Sequence, residues 1–322
     1  MHLEPNMKFL IFTGQGSQFV GMIKDLYDNF DIVKKIVKKA DESLPFNLSN
    51  LMFNGPSTEL VLTQNAQPAI LTASIAIYEL LKSELGFDFD ISAGHSLGQY
   101  SSLVAAGSLS FEDAVFAVYN RGKYMQEAVS IGTGAMMAVI GNNIKEVEDL
   151  CKEISKESDY YCDIANYNAP TQIIVSGYKK GVEKLQSIIK ENNLGKTIML
   201  DVSAPFHCKL MEPVVEKMQK ILDSIKINPA SKIIIENVNS NIIKFPDEIK
   251  HSLLDQIAKP VRWIDNVNKA LSYPIELIVE CGPKDVLSAM LKRNIKNVNI
   301  SGIFDLKSYN TFKESVWVTK AV

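Results

Sequence analysis

Hydrophobic and polar positions follow a strand-and-helix rhythm along most of the chain. Short apolar runs with strand character lie at 8–13, 87–93, 232–238 and 275–281, and the stretches between them carry apolar residues at helical spacing. Strands that alternate with helices in this way predict an α/β fold with a mostly parallel sheet covered on both faces. The largely apolar range 68–81 is too short and too polar for a membrane span, so it predicts a buried helix.

The rhythm changes between residues 132 and 201. Here strand-like segments lie at 135–140, 161–167, 172–177 and 196–200, with helical segments at 144–155 and 180–192. The resulting β-α-β-β-α-β order predicts a ferredoxin-like unit. We therefore expect one large domain built from 1–131 and 202–322, with a smaller subdomain of residues 132–201 inserted into it.

Composition excludes several classes of function. The chain has 322 residues, 46% of them hydrophobic, and a net charge of −3, which predicts a globular protein without a basic surface for nucleic acid or an anionic membrane. Four cysteines without metal-ligand spacing predict reduced thiols, a cytoplasmic location and no metal site. The N-terminus lacks the pattern of a signal peptide, and residues 1–6 are interpreted as a leader.

The stretch "GHSLG" at 94–98 lies between a predicted strand and a predicted helix. A G-x-S-x-G pattern in that context is typical of a nucleophile elbow, a sharp turn that exposes the serine. The helix that follows also offers free N–H groups and the positive end of its dipole. Two interpretations stay open, with Ser96 either a nucleophile or a serine that caps an ordinary turn.

A serine nucleophile needs a base, and the sequence offers four histidines. His2 lies in the leader, and His251 lies among charged residues on a surface-type helix. The side chain of His95 should point away from its neighbour Ser96. His207, in a loop that leads into a helix, is left as the candidate base, with a structural histidine as the alternative.

The loop "GQGSQ" at 14–18 directly follows the first predicted strand. Glycines on both sides of Gln15 would let its backbone N–H point into a site. Phe19 stands where a dinucleotide-binding loop requires a third glycine, so that motif is excluded. The loop and the N–H after the nucleophile could together stabilise an oxyanion, and an ordinary glycine turn is the alternative.

Arg121 is one of only three arginines in the chain. In the middle of a helix it is expected at the solvated surface. A buried arginine in that place would instead bind an acyl group that ends in a carboxylate, through paired hydrogen bonds. Met136, Met137 and the Met/Tyr stripe at 119–125 are interpreted as core.

These motifs together resemble the malonyl-CoA:acyl carrier protein transacylase family, from about residue 7 onward. The segments that carry the resemblance are "GQGSQ" (14–18), "QPAI" (67–70), "GHSLG" (94–98), "RGK" (121–123), "NYNAPTQIIVSG" (166–177), "APFH" (204–207), "QIAKPVRW" (256–263) and "ECGPKDVL" (280–287). The resemblance implies an α/β-hydrolase-like large domain, an inserted ferredoxin-like subdomain and an active site in the cleft between them. The chain departs from the family at Thr13, usually proline, and at Gln99, often glutamate.

The resemblance also implies the chemistry of individual residues. Ser96 would be the acylated nucleophile, His207 its general base, and Arg121 the partner of the malonate carboxylate. The other implied residues support these three: the backbone N–H groups of Gln15 and Leu97 as an oxyanion hole, and the side chains of Gln256, Gln67 and Asn166.

The function implied by the resemblance is that of an [acyl-carrier-protein] S-malonyltransferase of fatty acid biosynthesis. It would move a malonyl group from malonyl-CoA to the phosphopantetheine thiol of acyl carrier protein through an acyl-serine, in a ping-pong mechanism without a cofactor. The partners would be malonyl-CoA and acyl carrier protein, without nucleic acid or membrane, and a monomer is expected. The alternatives are a discrete acyltransferase of a polyketide synthase, a serine hydrolase and a non-catalytic carrier-protein docking module.

Overall fold

Two β-sheets and the helices around them form the molecule. The computed structural model describes residues 6–130, 132–202 and 204–320, so residues 1–5 of the predicted leader, His2 among them, lie outside the described residues. The described strands are β1 (Met7–Phe12), β2 (Ile91–Gly94), β3 (Gly134–Ile140), β4 (Cys162–Ala169), β5 (Gln172–Tyr178), β6 (Lys196–Met199), β7 (Ile233–Ile235), β8 (Ile242–Ile243), β9 (Ile275–Cys281) and β10 (Asn299–Ile303). The α-helices are α1 (Lys24–Asn29), α2 (Asp31–Ser43), α3 (Leu48–Asn54), α4 (Ser57–Leu60), α5 (Thr63–Leu85), α6 (Gly98–Ala105), α7 (Phe111–Glu127), α8 (Ile144–Ile154), α9 (Lys179–Glu191), α10 (Glu212–Ser224), α11 (Pro246–Ala258), α12 (Trp263–Ala270), α13 (Leu287–Asn294) and α14 (Leu306–Lys320).

The larger sheet has six strands in the order β10-β9-β1-β2-β7-β8, and only the last pair is antiparallel. The predicted α/β class with a mostly parallel sheet is therefore confirmed. Phe12, at the end of β1, lies opposite Gly94 of β2 on one side and Cys281 of β9 on the other. The loops that follow these strands thus meet at the carboxyl edge of the sheet, where α/β proteins bind their ligands.

The smaller sheet is antiparallel, with the order β4-β5-β3-β6 and the connection β-α-β-β-α-β expected of a ferredoxin-like unit. Its side chains alternate between two cores, as the pleat of a strand requires. Met137 and Val139 of β3 pack into a small core beneath α8 and α9. Met136 and Ala138 on the opposite face join the core of the larger sheet. The inner face of the small sheet therefore covers the carboxyl edge of the large one.

One backbone contact links the small sheet to the segment before α12. Asn166 of β4 forms a parallel bridge with Val261. The N–H of Tyr167 donates to the carbonyl of Val261 over 2.9 Å, and the N–H of Val261 donates to the carbonyl of Ala165 over 2.8 Å. The division of the chain at residues 131/132 and 201/202 stays a prediction, and we propose it as the domain boundary.

The central helix α5 is buried along most of its length, as the apolar range 68–81 predicts. None of the helices in the described ranges combines the length and the apolar character that a membrane crossing needs. The buried helix α5 packs against α7, and the two helices form the core on one side of the large sheet.

Some predicted boundaries were wrong for identifiable reasons. β2 begins at Ile91 and not at residue 87, because Phe87 and Phe89 bury their rings from an extended segment outside the sheet. β7 ends at Ile235 and not at residue 238, because the carboxylate of Glu236 accepts the N–H groups of three residues just after it. The apolar pattern gave no prediction for β10 and α14, which complete the edge of the sheet.

Candidate active site

The turn between β2 and α6 has the geometry of a nucleophile elbow. Ser96 adopts a left-handed backbone conformation with φ of 53°, which residues other than glycine rarely adopt. A Cβ on Gly94 would lie 1.9 Å from the carbonyl group of Gly98, and a Cβ on Gly98 would lie 2.4 Å from the carbonyl oxygen of Phe12. Both glycines are therefore required for the turn to close against the end of β1.

Asn237 holds this elbow in place, although no motif of the sequence includes it. The N–H of Ser96 donates to Oδ1 of Asn237 over 2.7 Å, and Nδ2 of Asn237 donates to the carbonyl of Gly94 over 2.8 Å. Asn237 is completely buried. The only signal in the sequence is the pair of polar residues, Glu236 and Asn237, that interrupts a predicted strand.

Ser96 and His207 meet in a direct hydrogen bond, with 2.7 Å between Oγ and Nε2. Nδ1 of His207 lies 2.6 Å from the carbonyl oxygen of Gln256. Because a carbonyl can only accept, Nδ1 carries the proton and Nε2 is left to accept the hydroxyl proton of Ser96. Gln256 lies in the last turn of α11, where carbonyls lack a partner within the helix, so this carbonyl is free for the histidine.

The electrostatic setting keeps His207 neutral. Burial and, next, the nearby guanidinium of Arg121 lower the pKa of His207 from 6.5 to about 3. Both effects act against the imidazolium, because burial removes its hydration and the arginine repels it. At neutral pH the imidazole is therefore unprotonated at Nε2, as a general base must be.

Arg121 is buried beside the nucleophile, with only 2% of its surface exposed, so the expectation of a surface arginine was wrong. The cause is the adjacent Gly122, where a Cβ would lie 2.5 Å from the carbonyl oxygen of Thr63. The missing side chain lets α7 approach α5 closely, which carries Arg121 into the interior. Burial lowers the pKa of Arg121, but a guanidinium remains charged in proteins.

The acceptors around the Arg121 guanidinium are neutral oxygens. Nη1 donates to Oε1 of Gln67 over 2.8 Å, and Nη2 donates to Oγ of Ser96 over 3.2 Å and to Oε1 of Gln256 over 3.3 Å. Within the described part of the chain, Nε has no hydrogen-bond partner. A buried cation with a spare donor next to a nucleophile is suited to an anionic substrate group.

The loop after β1 lies against the elbow. A Cβ on Gly14 would lie 2.8 Å from the carbonyl oxygen of His95, so the two turns are in close contact. Gln15 and Leu97 both line the cleft. Across the described ranges, the backbone N–H of neither residue has an acceptor, so both are available to a ligand oxygen.

The cleft between the two sheets has a volume of about 390 Å³. Its polar residues include Gln67 and Asn166, both buried, and His95, whose Nε2 lies 2.8 Å from Oδ1 of Asn168. The side chain of His95 thus points to the small sheet, while that of Gln256 lies behind the cleft wall. The apolar lining comes from Val61, Leu97, Met125, Met136, Ile174, Leu200, Val202 and Phe206.

The interpretation of the methionines as core needs adjustment here. Met137 lies in the small core as expected, but Met125 and Met136 face the cleft as well as the core. Among the residues that the structure describes, no group of three or more His, Cys, Asp or Glu side chains could hold a metal ion.

Comparison with known proteins agrees with this geometry. The family model described as "Acyl transferase domain" matches residues 9–309. The chain belongs to the acyl transferase family. The resemblance to the malonyl-CoA:acyl carrier protein transacylases is confirmed by a Bacillus subtilis relative of that name, which is 43% identical over 294 residues, 90% of this chain and 92% of the relative.

Solved structures of family members share the whole fold. The FabD crystal structure from Acinetobacter baumannii superposes with a TM-score of 0.93 at 36% identity, and the match covers 98% of this chain and 99% of that one. A malonyl-transacylase in complex with a type II PKS acyl-carrier protein gives a TM-score of 0.91 at 35% identity, and the match covers 95% of this chain and 98% of that one. These matches extend over both sheets and hence over the cleft.

Proposed function

We propose that the chain transfers a malonyl group from malonyl-CoA to the phosphopantetheine thiol of acyl carrier protein, for fatty acid biosynthesis. One distance carries the proposal, the 3.2 Å between Nη2 of Arg121 and Oγ of Ser96. A guanidinium this close to the nucleophile can pair only with a carboxylate that lies a few bonds from the acylated oxygen. A malonyl ester has its free carboxylate at that short range, and the names of the relatives support the same donor.

In the first half of the reaction, Oγ of Ser96 attacks the thioester carbonyl while Nε2 of His207 takes the hydroxyl proton. The carbonyl electron pair moves onto oxygen, where the N–H groups of Gln15 and Leu97 stabilise it. When the pair returns, the carbon–sulfur bond breaks and the coenzyme A sulfur takes the proton from His207. The product is malonyl-Ser96, with its carboxylate held by Arg121.

The second half runs the same steps in reverse on a different thiol. The phosphopantetheine thiol gives its proton to His207, and its sulfur attacks the ester carbonyl of malonyl-Ser96. The ester bond breaks, and Oγ of Ser96 recovers the proton. No step needs a metal or a redox cofactor, and the buried thiols are consistent with the cytoplasmic location that we propose.

Gln67, Gln256 and Asn166 complete the proposal as supporting residues. Gln67 orients Arg121, and Gln256 contacts His207 through its carbonyl and Arg121 through its side chain. Asn166 is buried in the cleft wall and forms the bridge with Val261, so we propose that it fixes the small sheet over the site.

The test is the intact mass of the protein after addition of malonyl-CoA, and again after addition of the phosphopantetheine-bearing carrier protein. We expect a malonyl adduct on the wild type that passes to the carrier protein, and no adduct on Ser96→Ala. An adduct that also forms on Ser96→Ala would refute the assignment of the nucleophile. Steady release of free malonate without carrier protein would identify a hydrolase, and the absence of any adduct would favour a docking module.

A second pathway is favoured by one comparison. The malonyl-transacylase of similar fold was solved with a type II PKS acyl-carrier protein, so the carrier for this chain could belong to polyketide assembly. Transfer rates to a fatty-acid carrier protein and to a polyketide carrier protein, measured side by side, distinguish the two pathways.

A further inference from the structure

One buried carboxylate holds the turn at 236–241, directly after β7. Glu236 is only 3% exposed. Its Oε2 accepts the backbone N–H of Val238 over 2.6 Å, and its Oε1 accepts those of Asn239 over 2.8 Å and Asn241 over 3.1 Å. The backbone N–H of Glu236 also donates to the carbonyl of Asn241 over 3.0 Å, which closes the turn. A single side chain therefore satisfies three N–H groups that lie beyond the pairing of the strand.

The turn depends on such contacts because it lies outside the sheet. β7 ends at Ile235, and β8 begins at Ile242. Between them, Ser240 has φ of 57°, a left-handed conformation that residues other than glycine rarely adopt. Its Oγ donates to Oδ1 of Asn266 over 2.7 Å, which ties the turn to α12. A strained residue persists only where its surroundings fix it, and hydrogen bonds to a carboxylate are among the strong ones.

Asn237 connects this turn to the nucleophile elbow. It lies between Glu236 and the first residue whose N–H the carboxylate binds, so the turn sets the place of its side chain. That side chain holds the elbow at two points, through the N–H of Ser96 over 2.7 Å and the carbonyl of Gly94 over 2.8 Å. Its own carbonyl accepts the N–H of Arg262 over 2.7 Å. The carboxylate, the turn and the amide thus form one continuous support for the elbow.

The reaction depends on the direction of the groups in this elbow. Ser96 has the left-handed φ of 53°, and the next N–H, that of Leu97, is one of the two proposed for the oxyanion. The bond to Asn237 fixes the peptide plane just before Ser96. A displacement of about 1 Å at a reacting group can lower a rate by about 100-fold. A change at Glu236 should therefore affect the reaction, although this residue does not line the cleft.

We propose that Glu236 is a positioning residue for the nucleophile, which acts through Asn237 to hold Ser96 and its oxyanion site in the reactive geometry. This inference rests on the proposed function only in the assignment of Ser96 as the nucleophile. It predicts a loss of rate without a loss of substrate affinity, because the acceptors of Arg121 lie outside the turn. It also predicts that the loss of Glu236 has no further effect once the side chain of Asn237 is removed.

The experiment compares the wild type with Glu236→Gln, Asn237→Ala, the double variant and the control Glu248→Gln. Glutamine keeps the size of the side chain but replaces one acceptor oxygen by an NH₂ group, so at least one backbone N–H loses its acceptor. Glu248 also accepts two backbone N–H groups, those of Lys244 over 2.9 Å and Phe245 over 3.0 Å, at the start of α11. The control therefore makes the same chemical change at a carboxylate that has no contact with Asn237.

Each protein is assayed for its rate of labelling by a fluorophosphonate, for kcat and KM of malonyl transfer, and for unfolding in urea. In the labelling reaction Oγ of Ser96 displaces fluoride from phosphorus, and His207 takes the hydroxyl proton. The label needs no acyl group, so it tests the inference whichever donor the enzyme uses. A wild type that is labelled but not acylated by malonyl-CoA would refute the proposed function and leave the inference to be decided by the labelling rates.

For Glu236→Gln we expect the labelling rate and kcat to fall by roughly 10- to 100-fold, with KM within about two-fold of the wild type. The double variant should be no slower than Asn237→Ala alone, because residues that act in one chain of contacts are not additive. The control should match the wild type in both rates.

A Glu236→Gln protein that is labelled at the wild-type rate would overturn the inference, even if its stability in urea were lower. A double variant in which the two losses multiply would overturn it too, because Glu236 would then act independently of Asn237. Where a single variant does not fold, Glu236→Asp or Asn237→Ser takes its place in the same cycle, and the same two outcomes decide.

Discussion

Replacement of Arg121 by methionine tests how the cleft selects its acyl group. The substitution keeps an unbranched stem of similar width in the α5–α7 interface and removes the guanidinium. Three oxygens lose a donor as a result, those of Gln67, Ser96 and Gln256. This loss affects any acyl donor equally, whereas loss of the bond to a substrate carboxylate affects only an anionic one.

A hydrogen bond to a charged group contributes about 1.5–3 kcal/mol. Its removal should lower kcat/KM for malonyl-CoA by roughly 10- to 150-fold beyond the loss seen with acetyl-CoA. The ratio of the two values cancels the common structural loss, so it isolates the carboxylate contact. Arg293→Met, an exposed arginine of α13, is the matched control and should leave the ratio unchanged.

The assay is single-turnover acylation of the protein by each donor, followed by mass spectrometry. An equal loss of rate with malonyl-CoA and acetyl-CoA would refute the reasoning, since it would show that Arg121 only supports the site. A preserved malonyl rate would refute it as well, because the carboxylate would then be bound elsewhere.

Three further predictions follow from burial and backbone geometry. The pKa of His207 is about 3 in the folded protein and 6.5 in the unfolded chain, so the unfolded chain binds more protons between these two pH values. The free energy of unfolding should therefore fall by roughly 1 kcal/mol per pH unit as the pH drops below 6.5. Urea titrations at two pH values should show a smaller dependence of this free energy on pH for His207→Ala than for the wild type. Gly94→Ala should cost about 3 kcal/mol or more in urea unfolding, since its Cβ meets Gly98 at 1.9 Å, whereas Gly107→Ala, with φ of 74° and open space around it, should cost only about 1 kcal/mol. All four cysteines are buried, so a thiol-reactive dye should label them slowly in buffer and fully in denaturant; fast labelling of the native protein would contradict the packing.

Much of the fold could be predicted from the sequence because it depends on local patterns. The edges of β9 agree with the apolar run at 275–281, and Ser110 caps α7 through a bond to the N–H of Asp113, as a serine before acidic residues predicts. The errors arise where side chains replace the regular backbone pairing, as at Glu236 after β7. Burial of Arg121 was not predictable either, because it depends on a glycine in contact with a distant helix.

The residues of the candidate site also divide into those that the sequence predicts and those that only the tertiary structure reveals. Ser96 and His207 could be proposed from a motif and from the scarcity of histidines, and the structure brings them within 2.7 Å. Asn237 could not, since it acts through contacts with residues more than 130 positions away along the chain. Amide side chains in the interior carry no periodicity of their own, so only the tertiary structure reveals what they hold.

The proton on Nδ1 of His207 is held by a main-chain carbonyl, which every amino acid possesses. No codon change at position 256 can therefore delete the acceptor, in contrast to enzymes in which an aspartate side chain performs this task. A saturation library should tolerate several residues at 256 with graded activity, but none other than serine at 96 or histidine at 207. A substitution can therefore remove the acceptor of His207 only by distorting the final turn of α11. A helix-breaking proline in that turn would be the damaging substitution.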